Sequence, residues 1–492
     1  MGIYSRFARA AQVGTADQPD SQGTRAKAPA GGVAASEDTG ISEHQEEAQT
    51  TKPERFPGPR WSLAFAGLLG YLVFEYLRIP AQFPFLRPLA LGKVTLGICA
   101  LGLLFESKSR ARTTTSPRLI QWMLVLVLVV GFVSTCFAEY QEDGWAGFSD
   151  LLKWTLTAFL VARVATSSWR QRVCVFVMLI LNLKMAQAVV RNYSAFRASG
   201  ANEEVLATKG IGAGSVGFFA NSGDFGAAMC LVWGLTAMLL LSEERKSVKA
   251  LLLVCLAAFS VAIVASGSRG AFLAVCAEGL AIWLRKPNPK RIGAMLMVFV
   301  LLPAFYYILP EANKDRLRSL HNLEQDKTAR IRLDLWRAGV GMFRDHPVIG
   351  VGPGDFEPMY KYRYAGPDRS LIVSAPHSIY VQNLAELGVL GFVPLVIIWV
   401  AFFLTNRRTR ICLGGRGHKE GKSFEIAMTR GLDLAMIGYL GSGAFATLFY
   451  YPHMWVLLGF AVGLQIAANR RPADSAYSEL DSQHAALEPA TR

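Results

Sequence analysis

The chain has 492 residues, of which 52% are hydrophobic and only 18% charged, and its formal net charge is +14. A soluble domain carries roughly 25% charged residues, so the composition argues against an ordinary soluble protein and favours a membrane protein. The positive charge would suit a nucleic-acid-binding protein if Lys and Arg formed one face. Here they stand in short clusters between apolar runs, and we expect no nucleic-acid partner.

The two ends of the chain differ in composition from its centre. Residues 1–55 are rich in small and polar residues and cannot bury enough apolar surface to offset ordering, so we predict a disordered N-terminal tail. The same argument predicts a disordered tail at 471–492. Because about sixty mostly polar residues precede the first apolar run, we expect no cleaved secretory signal.

Between the tails lie about twelve apolar segments, each near the roughly 20 residues that a helix needs to cross a bilayer. They predict an all-α, polytopic membrane protein, with helices 1–9 in 56–309 and helices 10–12 in 379–470. The segments lie near 61–78, 88–105, 119–138, 150–166, 173–190, 223–241, 249–266, 270–284, 292–309, 379–405, 425–449 and 452–469.

One long polar segment, 310–378, interrupts this pattern. The other loops lie alternately on the two sides of the membrane. The loops on one side hold roughly four times as many Lys and Arg as those on the other side, and loops rich in Lys and Arg stay in the cytoplasm. This predicts that both termini are cytoplasmic in a multi-pass protein of the bacterial inner membrane. Residues 310–378 would then form a periplasmic loop, since loops of that length translocate largely regardless of charge.

The seven cysteines form no CxxC pair, and six fall in or beside apolar runs. We therefore expect small packed residues, not a disulfide framework or a metal site. The sequence also contains no nucleotide-binding motif, no HExxH and no Gly-x-Ser-x-Gly. These patterns predict neither a metal nor a cofactor.

Arg269 stands at a tight corner between two apolar segments, in the run Ser266-Gly-Ser-Arg269. An Arg at membrane depth usually faces a polar interior, and backbone N–H groups at a helix start favour an anion. Small neighbours would let a phosphate group approach. The alternative is a snorkelling Arg that anchors the hairpin at the interface.

Arg330, Arg332 and Trp336 lie in a stretch of helical character inside the polar segment. Residues 332 and 336 share a helix face; a guanidinium binds phosphate bidentately, and an indole suits a sugar ring or the interface. The alternative is an amphipathic helix lying on the bilayer.

His377 follows Pro376 and begins the next apolar run, which carries Tyr380, Asn383 and Glu386. A histidine can take a proton from an attacking hydroxyl near neutral pH. The alternative is a helix cap or interface residue, and three other histidines are predicted outside: His321, His346 and His453.

Four other features call for simpler explanations. Gly350-Val-Gly-Pro-Gly354 lacks the context of a phosphate loop and predicts a turn that folds the loop back. Residues 360–364 alternate Tyr with Lys and Arg, as a short strand or a sugar-facing ledge would. Glu278 and the Arg430/Asp433 pair stand at membrane depth, where pairing or packing is the default.

Taken together, these motifs resemble the O-antigen ligase family, which includes O-antigen ligases, polysaccharide polymerases and protein O-oligosaccharyltransferases. The resemblance rests on Arg332-x-x-x-Trp336, on Asp345-His-Pro-Val-Ile-Gly-Val-Gly-Pro-Gly-Asp-Phe356 and on Pro376-His-Ser-Ile-Tyr-Val-Gln-Asn-Leu-Ala-Glu-Leu-Gly-Val-Leu-Gly391, with Ser268-Arg-Gly270 as the membrane corner. One departure is Ser378, where the family commonly has Asn.

The resemblance implies transfer of a glycan from a polyprenyl-diphosphate carrier to an acceptor hydroxyl, without metal or nucleotide. Arg269 and Arg332 would hold the diphosphate, and His377 would orient or deprotonate the acceptor. If the register of the polar loop differs from that of the family, Arg330 would take the place of Arg332. Trp336, Tyr380, Asn383 and Glu386 are further candidate substrate contacts. The acceptor would be a lipid A-core, a glycan or a protein, and membrane lipid surrounds the enzyme.

Two rival functions follow from the same pattern. A polysaccharide polymerase of the same family would differ only in its acceptor. A small-solute transporter of bicarbonate type would need paired charges along a midplane path and inverted repeats; Glu278 and the Arg430/Asp433 pair provide charges, but no fixed-period repeat stands out.

Overall fold

A computed structural model describes residues 61–79, 83–106, 118–198, 219, 221–284, 327–365, 375–414 and 424–487. Every regular element in these ranges is helical, which confirms the predicted all-α class. The predicted segment 292–309 and the first part of the polar loop lie outside the described residues.

The described residues form thirteen α-helices. They are α1 (Leu63–Leu77), α2 (Leu91–Glu106), α3 (Arg118–Cys136), α4 (Gln141–Val164), α5 (Ser168–Ala198), α6 (Ser222–Ser242), α7 (Lys246–Ala265), α8 (Arg269–Leu284), α9 (Lys327–Asp345), α10 (Phe356–Met359), α11 (Ile379–Gly414), α12 (Phe424–Gly443) and α13 (Pro452–Leu487). A 3-10 helix, Pro84–Leu89, precedes α2, and a π-helical turn, Tyr360–Tyr364, follows α10.

Eleven of the twelve predicted apolar segments coincide with helices, α1 to α8 and α11 to α13. Of the described helices, six are long and apolar enough to cross a membrane: 84–106, α3, 168–189 of α5, α6, α7 and α11. The others are shorter or more polar; α4, for example, begins with Glu142 and Asp143 and also contains Asp150 and Lys153. The predicted tail boundary at 471 falls inside α13, which continues to Leu487.

Helix α6 is the most enclosed of the six, because 83% of its apolar window is buried. It packs against α12, α7 and α8, and glycine allows the closest of these approaches. A Cβ on Gly431 of α12 would lie only 2.9 Å from the Cα of Leu235 in α6. Close backbone approach through small residues is the usual packing of helices in lipid. All seven cysteines are unpaired, as predicted.

The polar segment contributes a small unit of its own, which we call the loop module (residues 327–365). Helix α9 buries Leu335 and Met342 against Phe356 and Tyr360, and this core reaches α11 at Ala385. Helical character around Arg332 is therefore confirmed. The strand alternative for 360–364 is wrong, because Tyr360 and its neighbours continue the turn of α10 to pack into this core.

The loop module is fixed to the bundle where α11 is kinked at Gly388. Gly388 has φ 60°, which glycine adopts without steric cost. The N–H groups of Val389 and Leu390 donate to the carbonyls of Pro347 and Val348 at 2.9 and 3.1 Å. In return, Val351 N–H donates to the carbonyl of Ala385 at 2.9 Å. The predicted turn at 350–354 thus docks into the kink, and Asp355 after it accepts from Tyr140 N–H at 3.1 Å.

Candidate active site

The corner between α7 and α8 places Arg269 at the first residue of α8. Gly267 turns the chain with φ 63°. Ser268 Oγ accepts from Ala271 N–H at 3.2 Å and so caps the helix, as serine commonly does. The corner adjoins the start of α6, since a Cβ on Gly223 would lie 3.9 Å from Ser268 Oγ. Arg269 is half-buried there.

Trp336 connects the loop module to this corner. Its Nε1–H donates to the carbonyl of Pro376 at 2.9 Å, and its ring lies 6.3 Å from that of Phe445. Phe445 in turn contacts α8, because a Cβ on Gly270 would lie 2.8 Å from Phe445 Cβ. Arg332 lies one turn before Trp336 on α9, so these contacts bring Arg332 and Arg269 to the same end of the bundle.

His377 stands between the loop module and α11 with φ 49°. A positive φ is uncommon for a residue other than glycine. It costs on the order of 1–3 kcal/mol, and contacts with the surrounding residues must offset that cost. Here the Pro376 carbonyl is held by Trp336. On the other side, Ser378 O accepts from Gln382 N–H at 2.9 Å, and Ser378 Oγ accepts from Val381 N–H at a long 3.5 Å.

These contacts explain the departure at residue 378. Ser378 caps α11, and both Ser and Asn are preferred at helix N-caps. The substitution therefore keeps the local role and leaves the neighbouring His377 in place.

Burial lowers the pKa of His377 to about 4, and the positive charge of nearby Arg332 contributes to the same shift. His377 is therefore a neutral imidazole at neutral pH, able to accept a proton. The hydrogen bond from Trp336 to the Pro376 carbonyl brings the turn of α9 that carries Arg332 close to His377. The three residues predicted to be catalytic thus lie around the Trp336–Phe445 contact.

The other predicted site residues divide into two groups. Arg330 is exposed on α9, two residues from Arg332 and so on a different face. Asn383 is fully buried, and within the described residues neither amide atom has a hydrogen-bond partner. Tyr380 and Glu386 bind the protein itself. Tyr380 OH donates to the Leu440 carbonyl at 2.7 Å, and Glu386 accepts from Tyr450 OH at 2.6 Å and from Gln382 at 3.1 Å.

Asp224 at the start of α6 is a polar residue that the sequence analysis missed. It is 1% exposed, accepts from Thr447 N–H at 2.8 Å, and lies within electrostatic range of Arg332. The sequence pattern that could have pointed to Asp224 is Asn221-x-x-Asp224 before an apolar run. This spacing is typical of a helix N-terminus at which two side chains cap the first turn together. In the part of the chain that the structure describes, no three His, Cys, Asp or Glu side chains group as metal ligands would.

The family model described as O-Antigen ligase matches residues 250–396. The match supports the O-antigen ligase family for this segment of the chain. The match spans α7, α8, the loop module and the first half of α11, so it includes Arg269, Arg332 and His377. A comparison with curated proteins gives no match.

The match supports a membrane glycosyltransferase of the ligase or polymerase kind. The apolar helices agree with a membrane location. Asp224 lies outside the matched segment, on a helix that packs against it.

Proposed function

We propose that the protein transfers a glycan from a polyprenyl-diphosphate carrier to an acceptor hydroxyl at the periplasmic face of the bacterial inner membrane. The observation that carries the proposal is the hydrogen bond from Trp336, one helical turn after Arg332, to the carbonyl of Pro376, the residue before His377. Two cations and a proton acceptor at one end of a membrane bundle suit a lipid-borne anion that must leave as a hydroxyl attacks.

Arg269 and Arg332 bind the diphosphate. Guanidinium groups pair bidentately with phosphate oxygens, and the N–H groups at the start of α8 add to the attraction. Both arginines stabilise the negative charge that grows as the diphosphate departs. The glycan is already activated by its diphosphate linkage, so the reaction proceeds without nucleotide or metal.

His377 acts on the acceptor. The acceptor oxygen forms a bond to the anomeric carbon, the bond from that carbon to the phosphate oxygen breaks, and the diphosphate keeps the electron pair. The acceptor proton passes to the neutral imidazole. Binding of the diphosphate also opposes the effect of Arg332, so it raises the pKa of His377 and makes the imidazole a stronger base.

The remaining candidates have supporting parts in this proposal. Trp336 holds the Pro376 carbonyl and presents an indole to the sugar. Asn383 is a buried amide suited to a sugar hydroxyl, and Arg330 is an exposed cation for the acceptor side. We assign Tyr380 and Glu386 mainly to positioning, because their polar atoms bind Leu440 and Tyr450.

The decisive test is transfer by the purified protein in proteoliposomes. The donor is a polyprenyl-diphosphate-linked glycan, and the acceptors, supplied separately, are lipid A-core, a second carrier-linked glycan and an unfolded protein with free Ser hydroxyls. Transfer to the first identifies a ligase, to the second a polymerase and to the third a protein glycosyltransferase. A folded, reconstituted protein that transfers to none of them contradicts the proposal.

Deletion in the native host provides an independent arm. A ligase deletion accumulates long carrier-linked chains beside bare acceptor, whereas a polymerase deletion leaves single capped units. Surface polysaccharide that is unchanged on gels, with bicarbonate uptake lost instead, would favour the transporter.

A further inference from the structure

The last turn of α12 and the two residues after it contact all three elements that carry the predicted catalytic residues. We call this stretch the α12 end (residues 440–445). It contains no predicted catalytic residue itself, and it lies outside the segment 250–396 that the family model matches. The family match therefore assigns no role to it.

The start of α11 is bound to the α12 end directly after His377. Tyr380 OH donates to the Leu440 carbonyl at 2.7 Å. Ile379 packs against Gly443, where a Cβ would lie only 2.5 Å from Ile379 Cδ1. Because Ile379 is two residues after His377, these contacts hold the backbone that carries the imidazole.

The start of α8 also packs against the α12 end. Gly270 follows Arg269 directly, and a Cβ on Gly270 would lie 2.8 Å from Phe445 Cβ and 3.1 Å from Cδ2 of the Phe445 ring. One turn further along α8, Ala274 Cβ would lie 3.7 Å from a Cβ on Gly441. Phe445 can approach α8 this closely because residue 270 has no side chain.

Phe445 contacts the loop module as well. Its ring lies 6.3 Å from the Trp336 ring, with the two planes tilted by 35°, and aromatic rings at this separation attract one another. Trp336 is one helical turn after Arg332. The half-buried Phe445 ring therefore contacts both the residue after Arg269 and the indole one turn after Arg332.

We propose that Phe445 is a positioning residue that sets the separation of Arg269 and Arg332 to the length of one diphosphate. This inference rests on the proposed function, because that function assigns the anion. A diphosphate has two phosphate groups, and each can pair with one guanidinium. Binding of the second group is then intramolecular, and its benefit is lost if the two cations stand at the wrong separation. Phe445 thus acts through the two arginines.

The test measures how strongly the anion site prefers a diphosphate to a single phosphate. Inorganic pyrophosphate and inorganic orthophosphate are the probes, and calorimetry on the full-length protein in detergent gives both Kd values. Phe445→Ala removes the ring, and Phe445→Leu, which keeps part of its volume, replaces it if the alanine variant does not fold. Transfer is measured in parallel in proteoliposomes, and thermal unfolding shows that each variant is folded.

Phe449→Leu is the matched control. Phe449 lies in the same connection between α12 and α13, but its ring packs against Tyr450 and Trp455 at 5.0 and 5.6 Å. It is fully buried, so its substitution should lower the thermal unfolding midpoint. We expect both Kd values of this variant to equal those of the parent protein.

Phe445→Ala should weaken pyrophosphate binding by roughly tenfold and change orthophosphate binding by less than about twofold, because a single phosphate needs only one arginine. Its kcat should fall by about 10²-fold, as small misplacements in a site do. Phe445→Leu should show smaller changes in the same direction. A purely structural role would not alter the preference between the two anions.

A folded Phe445 variant that keeps the parent's preference for pyrophosphate overturns the inference and leaves the proposed function intact. An equal loss of both anions, or the same loss of pyrophosphate in Phe449→Leu, also overturns it, since either result would indicate general loosening of the bundle. A parent protein that transfers glycan without preferring pyrophosphate has the same consequence. A parent protein that neither binds pyrophosphate nor transfers glycan overturns the proposed function itself.

Discussion

Two of the polar clusters among the described residues are built on different electrostatic plans. We call them the cation cluster (Arg269, Arg332 and His377) and the Asp433 cluster (Asp433, Asn406 and Arg410). In the Asp433 cluster the carboxylate accepts from Arg410 Nη1 at 2.7 Å and from Asn406 Nδ2 at 2.9 Å. One positive and one negative charge meet there, on regular helices.

The cation cluster places two guanidinium groups and an imidazole at one end of the bundle. Its histidine also has a positive φ, whereas Asn406, Arg410 and Asp433 lie within helices α11 and α12. A balanced ion pair needs nothing further to be stable. Converging cations gain stability when an anion binds, and strained backbone is often found where function requires it. On this difference we propose that the cation cluster binds an anion and that the Asp433 cluster has a structural role.

The largest expected effect is the loss of transfer on removing the imidazole. His377→Ala should lower kcat by about 10²- to 10⁴-fold, the usual contribution of a general base, and Arg269→Ala by about 10²- to 10³-fold, as for other groups that stabilise a developing anion. Both are measured in proteoliposomes with inserted, folded protein. His377→Gln is the matched control for shape. Full transfer by both alanine variants would show that the cation cluster is not catalytic.

The Asp433 cluster should respond in the opposite manner. Asp433→Asn leaves Arg410 without its carboxylate, and losing a charged hydrogen bond at a buried site costs about 1–3 kcal/mol. We expect a lower thermal unfolding midpoint in detergent and an unchanged kcat per folded molecule. A variant that keeps its stability but loses transfer would erase the distinction between the two clusters.

The smallest effect is a shift in the titration of His377. Its pKa lies near 4 because of burial and Arg332, so diethyl pyrocarbonate, which attacks neutral imidazole, should modify it at an undiminished rate down to about that pH. Arg332→Gln removes a nearby positive charge, so the protonated form becomes easier to reach and the pKa rises. Burial remains, which keeps the pKa below 6.5.

Peptide mass spectrometry would follow the modification of His377 alone. The pH at which the rate falls should be higher in Arg332→Gln than in the parent protein. Arg330→Gln is the matched control, because Arg330 is exposed on another face of the same helix. Equal profiles in the parent and in Arg332→Gln would mean that the two side chains do not interact.

Hydropathy predicted the helical class and most helix positions, because a helix in lipid must satisfy its own backbone and needs an apolar surface of defined length. Six of the described helices are long and apolar enough to cross a membrane, and the count of about twelve spans stays a prediction; α4 and α12, for example, each carry several charged residues. The alternation of Tyr with Lys and Arg at 360–364 suggested a strand, because its period is two residues. The segment is helical instead, since its tyrosines pack into the core of the loop module.

Sequence motifs also singled out Arg269, Arg332 and His377 as candidates, because ionisable residues are rare within membrane segments unless they serve a site; their catalytic roles stay a prediction. Those motifs could not show that Tyr380 and Glu386 turn toward Leu440 and Tyr450, since orientation on a helix depends on which neighbours pack around it. Nor could they pair Asp433 with Arg410, which is 23 residues away on the preceding helix.

The sequence by itself determined that the chain is a helical membrane protein with arginines and a histidine in a recognisable order. Local patterns suffice for this, since burial in lipid and chemical type act residue by residue. Only the tertiary structure decided that Trp336 and Phe445 join the loop module to the corner at Arg269, and that Asp224 accepts hydrogen bonds from Thr447 and Tyr451. Those contacts join residues more than a hundred positions apart, and their geometry depends on how the helices pack together.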